Sequence, residues 1–427
     1  MEYHIKIEKI ITGGKGLGYL KDGMVAMVPH VLPGEQVHIR ETKRFRGHIT
    51  ADPISISHPS PLRKEPPCPY FTICGGCSLQ HAEYNEQLRI KREILLESLT
   101  RAGIQTTAIT VHPTLPSPLP YGYRNKIRLH CSQQGDIGFH RCSSNRIVPI
   151  TACPLAPSGI NQALDKLLHN GECRQVLSTC RAVEIIQSPE NGDICMVVDF
   201  GREITARKQL HSLQTITDHV FSKKRPKDGD IHKGALRMGQ KFRLDTLSYT
   251  LYWDHNCFFQ VNASQNEHMV NLIVNILRQK QPGTLLDLFC GTGNFSIPLT
   301  LAGCNVHGVE HNRHSTGWAQ TNAQLMQCDE SCKFTAKNVV SFLQTKQHTN
   351  YDAIVLDPPR QGLGKENAHT LAQGNAACII YISCDPATLS RDLAVLTTSG
   401  YHCRDIFPVD MFPQTHHIES VAVLEKN

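Results

Sequence analysis

Leu285-Leu286-Asp287-Leu288-Phe289-Cys290-Gly291-Thr292-Gly293 is a short apolar run that breaks into two glycines. A run of this length, bounded by glycine, reads as a buried strand whose end turns tightly. Two later stretches repeat the pattern. Tyr351-Asp352-Ala353-Ile354-Val355-Leu356 ends in Asp357-Pro358-Pro359-Arg360, and Cys378-Ile379-Ile380-Tyr381-Ile382 delivers Ser383 and Cys384 into Asp385-Pro386-Ala387. Around them, strands are expected at 284–289, 305–310, 353–357, 379–383 and 421–424, with helices at 264–278, 316–326 and 387–396. Such alternation implies an α/β fold, a mainly parallel sheet with helices on both faces. The strand ends converge on its carboxyl edge, where open sheets of this kind bind ligands.

Working outward, residues 1–55 read as short strands at 5–11, 18–20, 24–28 and 36–40, separated by turns at Thr12-Gly13-Gly14-Lys15-Gly16 and Asp22-Gly23. This is a small β-barrel pattern. The glycines serve turns rather than a phosphate loop, because Gly14-Lys15 is not followed by Ser or Thr and no helix follows. Residues 55–67, rich in Ser and Pro, read as a linker. An amphipathic helix is expected over 83–101 from the spacing of Leu88, Leu95 and Leu99. Residues 105–255 mix strands, turns and one or two helices. The expected division is therefore a barrel at 1–55, a central α+β domain at 56–255 and the α/β domain at 256–427.

A chain of 427 residues exceeds one compact core, which agrees with that division. The 40% hydrophobic content and mean hydropathy of −0.28 suit a water-soluble chain. No apolar stretch has the length of a membrane span, and Met1-Glu2-Tyr3-His4-Ile5-Lys6 lacks a signal-peptide core, so a cytoplasmic location is expected. Seventeen cysteines without a disulfide-like framework suggest metal or catalytic use for a few and burial for the rest. The net charge of +6 permits a polyanionic partner. Basic clusters stand at Lys43-Arg44-Phe45-Arg46, Arg124-Asn125-Lys126-Ile127-Arg128 and Lys223-Lys224-Arg225-Pro226-Lys227, though each also reads as a solvated face.

Glu310 closes the strand after the glycine turn, where a carboxylate can accept hydrogen bonds from ribose hydroxyls. The third glycine of the dinucleotide fingerprint is missing. S-adenosylmethionine, with a ribose and no phosphate, fits this loop better than NAD.

Cys384 falls on a strand-to-helix corner. Asp385 is a good cap and Pro386 suits the first helical position, so the thiol is expected beside free N–H groups and ionised. A cysteine nucleophile next to a methyl donor suits carbon 5 of a uracil. Thiolate addition at carbon 6 makes carbon 5 nucleophilic, and a base must later remove the carbon 5 proton. Candidates lie in Asp410-Met411-Phe412-Pro413-Gln414-Thr415-His416-His417-Ile418-Glu419, with Glu419 preferred and His417 second. Methylation of an exocyclic amine is disfavoured because Arg360, not an aromatic residue, follows Asp-Pro-Pro. A non-catalytic RNA-binding factor on this fold is disfavoured because the thiol, the carboxylate and the glycine turn are all present.

Cys68, Cys74, Cys77 and Cys153 form a separate group whose spacing alone suits a four-cysteine zinc site or an iron–sulfur cluster.

Taken together, these residues resemble the RNA uracil-5 methyltransferases, over nearly the whole chain. Ser383-Cys384-Asp385-Pro386-Ala387-Thr388-Leu389 with Arg391-Asp392-Leu393 is similar to the family's nucleophile motif, and 410–419 to its base motif. The resemblance implies a class I S-adenosylmethionine-dependent, Rossmann-like domain with Cys384 and Glu419 catalytic. It also implies that Gln260, Phe289, Asn294, Glu310, Asn338 and Asp357 hold S-adenosylmethionine. The family commonly has Asn where Asp385 stands. The first segment resembles a TRAM domain, an RNA-binding barrel of the oligonucleotide-binding type, marked by Gly16-Leu17-Gly18-Tyr19 and Pro33-Gly34-Glu35. In the ribosomal RNA branch the four cysteines hold a 4Fe-4S cluster. The implied partner is RNA, 23S ribosomal RNA ahead of tRNA, with no membrane and no obligate protein partner.

Overall fold

The computed structural model describes residues 1–201, 208–223, 236–345 and 347–426. Residues 224–227 of the third basic cluster lie outside them. Strands β1 (Glu2–Ile11), β2 (Lys15–Tyr19), β3 (Val25–Pro29), β4 (Gln36–Arg44) and β5 (His48–His58) close into a barrel in the order β1-β2-β3-β5-β4. Alternation with period two sends Ile5, Ile7, Val37 and Ile39 inward. The barrel wall runs through His58, so the start of the expected linker is strand instead. Its continuation is fastened down: Arg63 donates to the buried Glu35 carboxylate at 2.6 and 2.8 Å, and the Ser60 N–H donates to it at 3.1 Å.

Helix α1 (Tyr84–Arg101) and the two-residue strand β6 (Thr110–Val111) follow. Beyond them, β7 (Lys126–Cys131), β8 (Ile137–His140), β9 (Ile147–Pro149), β10 (Ala182–Gln187), β11 (Ile194–Asp199) and β12 (His219–Ser222) form a six-stranded sheet ordered β12-β11-β10-β7-β8-β9. Helices α2 (Ser158–His169), α3 (Gly171–Leu177) and α4 (Lys208–His211) share one core with it. A hairpin, β13 (Met238–Leu244) with β14 (Leu247–Trp253), completes the middle of the chain.

The remainder alternates helix and strand: α5 (Ala263–Lys280), β15 (Thr284–Leu288), α6 (Ser296–Leu301), β16 (Asn305–Glu310), α7 (Arg313–Leu325), β17 (Cys332–Ala336), α8 (Val339–Gln344), β18 (Ala353–Leu356), α9 (Lys365–Ala372), β19 (Cys378–Ser383), α10 (Pro386–Thr398), β20 (Tyr401–Val409) and β21 (Glu419–Lys426). The eight-stranded sheet runs β17-β16-β15-β18-β19-β21-β20-β6. Strands β17 to β19 are parallel, and β21 lies antiparallel between β19 and β20. Alternate residues feed two separate cores: Leu285, Ile380 and Ile382 pack under α5, while Leu286, Ile379 and Tyr381 pack under α9 and α10. This two-sided burial explains the unbroken apolar runs, because a strand covered on both faces has no polar side.

The segment expected to form one central domain divides three ways. Its six-stranded sheet stands on its own core, but β6 adds to the edge of the large sheet through β20 and α1 packs on α10. The β13–β14 hairpin shares the core beneath α5. The α1 face also differs from the leucine spacing. Ile90, Ile94, Leu95 and Leu99 are buried together with Glu86, Gln87 and Lys91, while Leu88 is only half-buried. Among the described residues no helix is long and apolar enough to cross a membrane.

Candidate active site

At the carboxyl edge of β15, Phe289 turns with φ +64°, a left-handed conformation unusual for a bulky side chain. Its N–H still reaches the Val309 carbonyl at 2.9 Å, so the turn is pinned to the neighbouring strand. Gly291 follows with φ +56° and nothing within 4 Å of where a Cβ would stand. The backbone therefore borders an open slot, whose walls include Gln260, Phe289, Asn294 and Asp357. Asn294 and Asn266 exchange amide hydrogen bonds of 2.9 and 3.0 Å across it. Glu310 reaches the same turn, accepting from the Gly291 N–H at 3.3 Å and the Asn312 N–H at 2.8 Å. Gln260, Phe289, Asn294, Glu310 and Asp357 thus gather at one strand edge. Asn338 follows β17 at the same edge, where the Lys337 N–H donates to the Glu310 carbonyl at 2.8 Å; its exposed side chain accepts from the Ser341 N–H at the start of α8.

The next strands bring the reactive groups together. Ser383 on β19 pairs with Ser420 on β21, so the following rung sets Cys384 beside Glu419. Cross-strand neighbours of this kind share a face of the sheet. Asp357 ends the adjoining strand β18. Burial pushes the Cys384 thiol up to about 12, and the Glu419 and Asp357 carboxyls add to the rise against Arg360. The expected thiolate is therefore not the form of the ligand-free site. Asp385 acts as the cap, its carboxylate accepting from the Ala387 and Thr388 N–H groups at 3.0 and 2.9 Å. Those donors are committed to the cap and do not serve the sulfur.

Burial likewise raises Asp357 to about 7 and holds the Glu419 carboxyl well above its ordinary range, Asp357 adding to the effect and Arg360 opposing it. Two such carboxyls cannot both ionise readily, so the pair retains a proton at neutral pH. Burial also drives His416 down to about 4 and His417 to about 3, with Lys91 and Arg360 pushing the same way. Both imidazoles are neutral near pH 7.

Residues 83–427 match the family model described as tRNA (uracil-5-)-methyltransferase. The chain belongs to the tRNA (uracil-5-)-methyltransferase family. A protein of Aquifex aeolicus (strain VF5) named an uncharacterized RNA methyltransferase is 31% identical over 99% of this chain and 98% of its own length. The 23S rRNA (uracil(1939)-C(5))-methyltransferase RlmD of Legionella pneumophila (strain Lens) is 31% identical over 99% of this chain and 96% of its own. The Pyrococcus abyssi tRNA (uracil-54, C5)-methyltransferase, solved in complex with S-adenosyl-L-homocysteine, superimposes with a TM-score of 0.75 at 25% identity, covering 98% of this chain and 99% of that one. The chain is an S-adenosylmethionine-dependent RNA (uracil-5-)-methyltransferase.

In this uracil-5 methyltransferase, Cys68, Cys74, Cys77 and Cys153 line a single cavity of about 220 Å³. The loop carrying the first three is built onto the six-stranded sheet by the Gly75 N–H, which donates to the His140 carbonyl at 2.9 Å. Burial raises Cys74, Cys153 and Cys77, the last to about 12, and neighbouring thiols add to each. Four thiols facing one cavity suit a thiolate-bound metal centre, because a metal deprotonates its ligands. A single tetrahedral zinc with Zn–S near 2.3 Å needs sulfurs about 3.8 Å apart. Among the described residues, no three of these sulfurs lie within 4.8 Å of one another.

Arg360 and Lys91 carry parts of this methyltransferase site that the motifs did not assign. Arg360 lines the cysteine cavity and is the cation acting on both Cys384 and Glu419. Lys91 is fully buried against Asp410, the first residue of the base segment, and donates to the Phe412 carbonyl at 2.9 Å. A lysine in line with Ile90, Ile94 and Leu95 on the buried face of α1 was the available signal. In the second basic cluster, Lys126 and Arg128 are paired with Glu184, leaving Arg124 to face the cysteine cavity.

Proposed function

We propose that this methyltransferase acts on carbon 5 of a uridine in 23S ribosomal RNA, with Cys384 as nucleophile and Glu419 as base. The observation carrying the reading is the Ser383–Ser420 register, whose continuation sets Cys384 opposite Glu419, next to the strand that ends at Asp357 in the wall of the slot. Bound in that slot, S-adenosylmethionine supplies an electrophilic methyl group and a positive charge. Gln260, Phe289, Asn294, Glu310 and Asp357 are its proposed contacts, with Asn338 at the edge of the site.

Cys384 gives its proton to water and its sulfur bonds to carbon 6, leaving an enolate whose carbon 5 takes the methyl group, with S-adenosylhomocysteine as the neutral leaving group. Carbon 5 then holds both hydrogen and methyl. Glu419, as carboxylate, takes that hydrogen as a proton, the ring double bond re-forms, and the carbon–sulfur bond breaks to return the thiolate. One proton is released per methyl transferred. A carboxyl with a raised pKa is the stronger base, which suits Glu419 to a carbon acid. Extruding the uridine from its stack is the remaining cost, a few kcal/mol.

The four cysteines suit a structural 4Fe-4S cluster, with zinc as the alternative, and the amino-terminal barrel suits a TRAM-type RNA contact. Ribosomal RNA is favoured over transfer RNA by the 31% identity to the Legionella enzyme against 25% to the archaeal one. A cytoplasmic site of action follows from that substrate. The test is 5-fluorouridine-containing large-subunit RNA with S-adenosylmethionine, comparing wild type with Cys384→Ser. A methylated covalent protein–RNA adduct in wild type alone supports the mechanism. An adduct with 5-fluorouridine transfer RNA but not with ribosomal RNA would move the substrate, and none with either would sink the chemistry.

A further inference from the structure

The segment that ends in Glu419 is held in a conformation it would not choose alone. Gln414 sits at φ +69°, a left-handed geometry that non-glycine residues adopt at a cost and keep only where their surroundings impose it. Five hydrogen bonds impose it here. The Gln414 N–H donates to Gln87 Oε1, its side-chain oxygen accepts from Gln87 Nε2, its Nε2 donates to the Pro120 carbonyl, and its own carbonyl accepts from the Ser78 and Leu79 N–H groups. Two residues on, the His416 N–H donates to Ser78 Oγ at 2.9 Å, and the same hydroxyl lies 3.2 Å from His416 Nδ1. Ser78 directly follows Cys77, so the cysteine loop meets the base segment here, through the Ser78 hydroxyl as well as through the Ser78 and Leu79 N–H groups.

The barrel meets them at the same point. A Cβ placed on Gly14, in the β1–β2 turn, would stand 2.8 Å from both Cβ and Oγ of Ser78 and 3.2 Å from the His416 Cβ. Gly13 beside it has a positive φ as well, yet a Cβ there meets nothing within 4 Å. Gly14 is thus small for contact as well as for conformation. Gly14, Ser78 and His416 come from three separate parts of the chain and close one junction, three residues before Glu419.

We propose that Ser78, clamped between Gly14 and His416, is a positioning residue that sets Glu419 for removal of the carbon 5 proton. Proton removal then depends on how the cysteine loop and the barrel are seated, the barrel being the element that the proposed function gives to RNA. The inference rests on that reading of Glu419 as base, and the experiment separates the two.

Full-length wild type, Ser78→Ala, Ser78→Thr, Gly14→Ala, Gly13→Ala and Glu419→Gln are compared on ordinary, non-fluorinated large-subunit RNA transcript. The readouts are steady-state turnover, KM for S-adenosylmethionine and the fraction of enzyme trapped as methylated covalent adduct on a denaturing gel. Amide exchange over 410–419 is measured in the free proteins. Slowed proton removal makes the adduct accumulate, which general loss of structure does not. Ser78→Ala and Gly14→Ala are expected to lower turnover by about tenfold or more, accumulate adduct and leave KM within about twofold. Their amides over 410–419 should exchange about tenfold faster. Ser78→Thr keeps the hydroxyl but adds a methyl where Gly14 already presses on Ser78, so it should fall between wild type and Ser78→Ala, whereas Gly13→Ala, which shares the backbone strain without the contact, should behave like wild type. Adduct in Glu419→Gln with wild-type behaviour in Ser78→Ala overturns the junction alone. No adduct in Glu419→Gln removes the base reading instead, and unchanged exchange in Ser78→Ala then overturns the junction independently of chemistry.

Discussion

Replacing Lys91 by methionine should test how the base segment is anchored. Lys91 and Asp410 are both fully buried, and the ammonium pairs with Asp410 Oδ1 while donating to the Phe412 carbonyl. Asp410 Oδ2 accepts from the Tyr84 hydroxyl at 2.8 Å. Burial pulls the Lys91 ammonium down and the carboxylate beside it pulls it back up, so neither charge is comfortable without the other. Methionine fills most of the lysine stem, which limits any cavity effect. What it removes is the cation, leaving a buried carboxylate with a single hydroxyl donor. Breaking one side of a fully buried pair costs about 3–5 kcal/mol, whereas neutralising both sides costs far less. Lys91→Met should therefore lose about 3–5 kcal/mol, and Lys91→Met with Asp410→Asn should return to within about 1–2 kcal/mol of wild type, because asparagine still accepts from Tyr84. Urea unfolding followed by tryptophan fluorescence reads the right region: Trp253 and Trp318 both pack into the core beneath α5. A single variant within about 1 kcal/mol of wild type, or a double variant no more stable than the single, refutes the reasoning.

Three further outcomes are expected. Alkylation of Cys384 by iodoacetamide in the ligand-free enzyme should rise about tenfold per pH unit from 7 to 10 without a plateau, because a thiol near 12 is still mostly protonated there; a plateau near pH 8 would contradict it. Asp287, raised to about 7 by burial and holding one unpartnered oxygen, keeps a proton that the unfolded chain loses near pH 4. Its contribution is full below pH 4 and is lost as pH rises through 7, so Asp287→Asn should gain on wild type by up to a few kcal/mol between pH 4.5 and 8 in urea unfolding, and a flat difference would count against it. Gly308→Ala should destabilise by about 1–3 kcal/mol in the same assay, since its Cβ would fall 2.5 Å from the Phe334 ring and 2.8 Å from Cys290 Sγ. Wild-type stability would show that β16 has room to shift.

The α/β half was legible in the sequence because strands buried on both faces leave an unmistakable mark: 284–288, 353–356 and 378–383 are apolar but for Thr284, Asp287 and Ser383, and stop just before glycine, proline or a cap. The glycine turn and Cys384 were legible as strand ends for the same reason, whereas Glu419 reads as standing just before the last strand. The membership of β6 in the large sheet and the packing of α1 on α10 were not legible. Two residues, Thr110 and Val111, carry no periodic signal, and the partners that claim them lie at Asp405 and Ile406, far along the chain. The protonation of Cys384 was not legible because its burial, and the Glu419 and Asp357 carboxyls that add to it, come from strands brought together only in the fold. Arg360 was noted only for what it displaced, since its reach toward Cys384 and Glu419 depends on how β18, β19 and β21 are laid side by side.

The place of β21 in the sheet has a consequence for biosynthesis. A ribosome makes the chain from the amino end at about 5–20 residues per second, and early segments fold as they emerge. Strand β19 is complete at Ser383, but the neighbour that covers its open edge starts only at Glu419. Throughout that interval a strand apolar but for Ser383 shows an unpaired edge, the kind of surface on which nascent chains stick to one another. The same late strand begins with Glu419, the proposed base, so a nascent chain that lacks the cover of β19 also lacks that carboxylate.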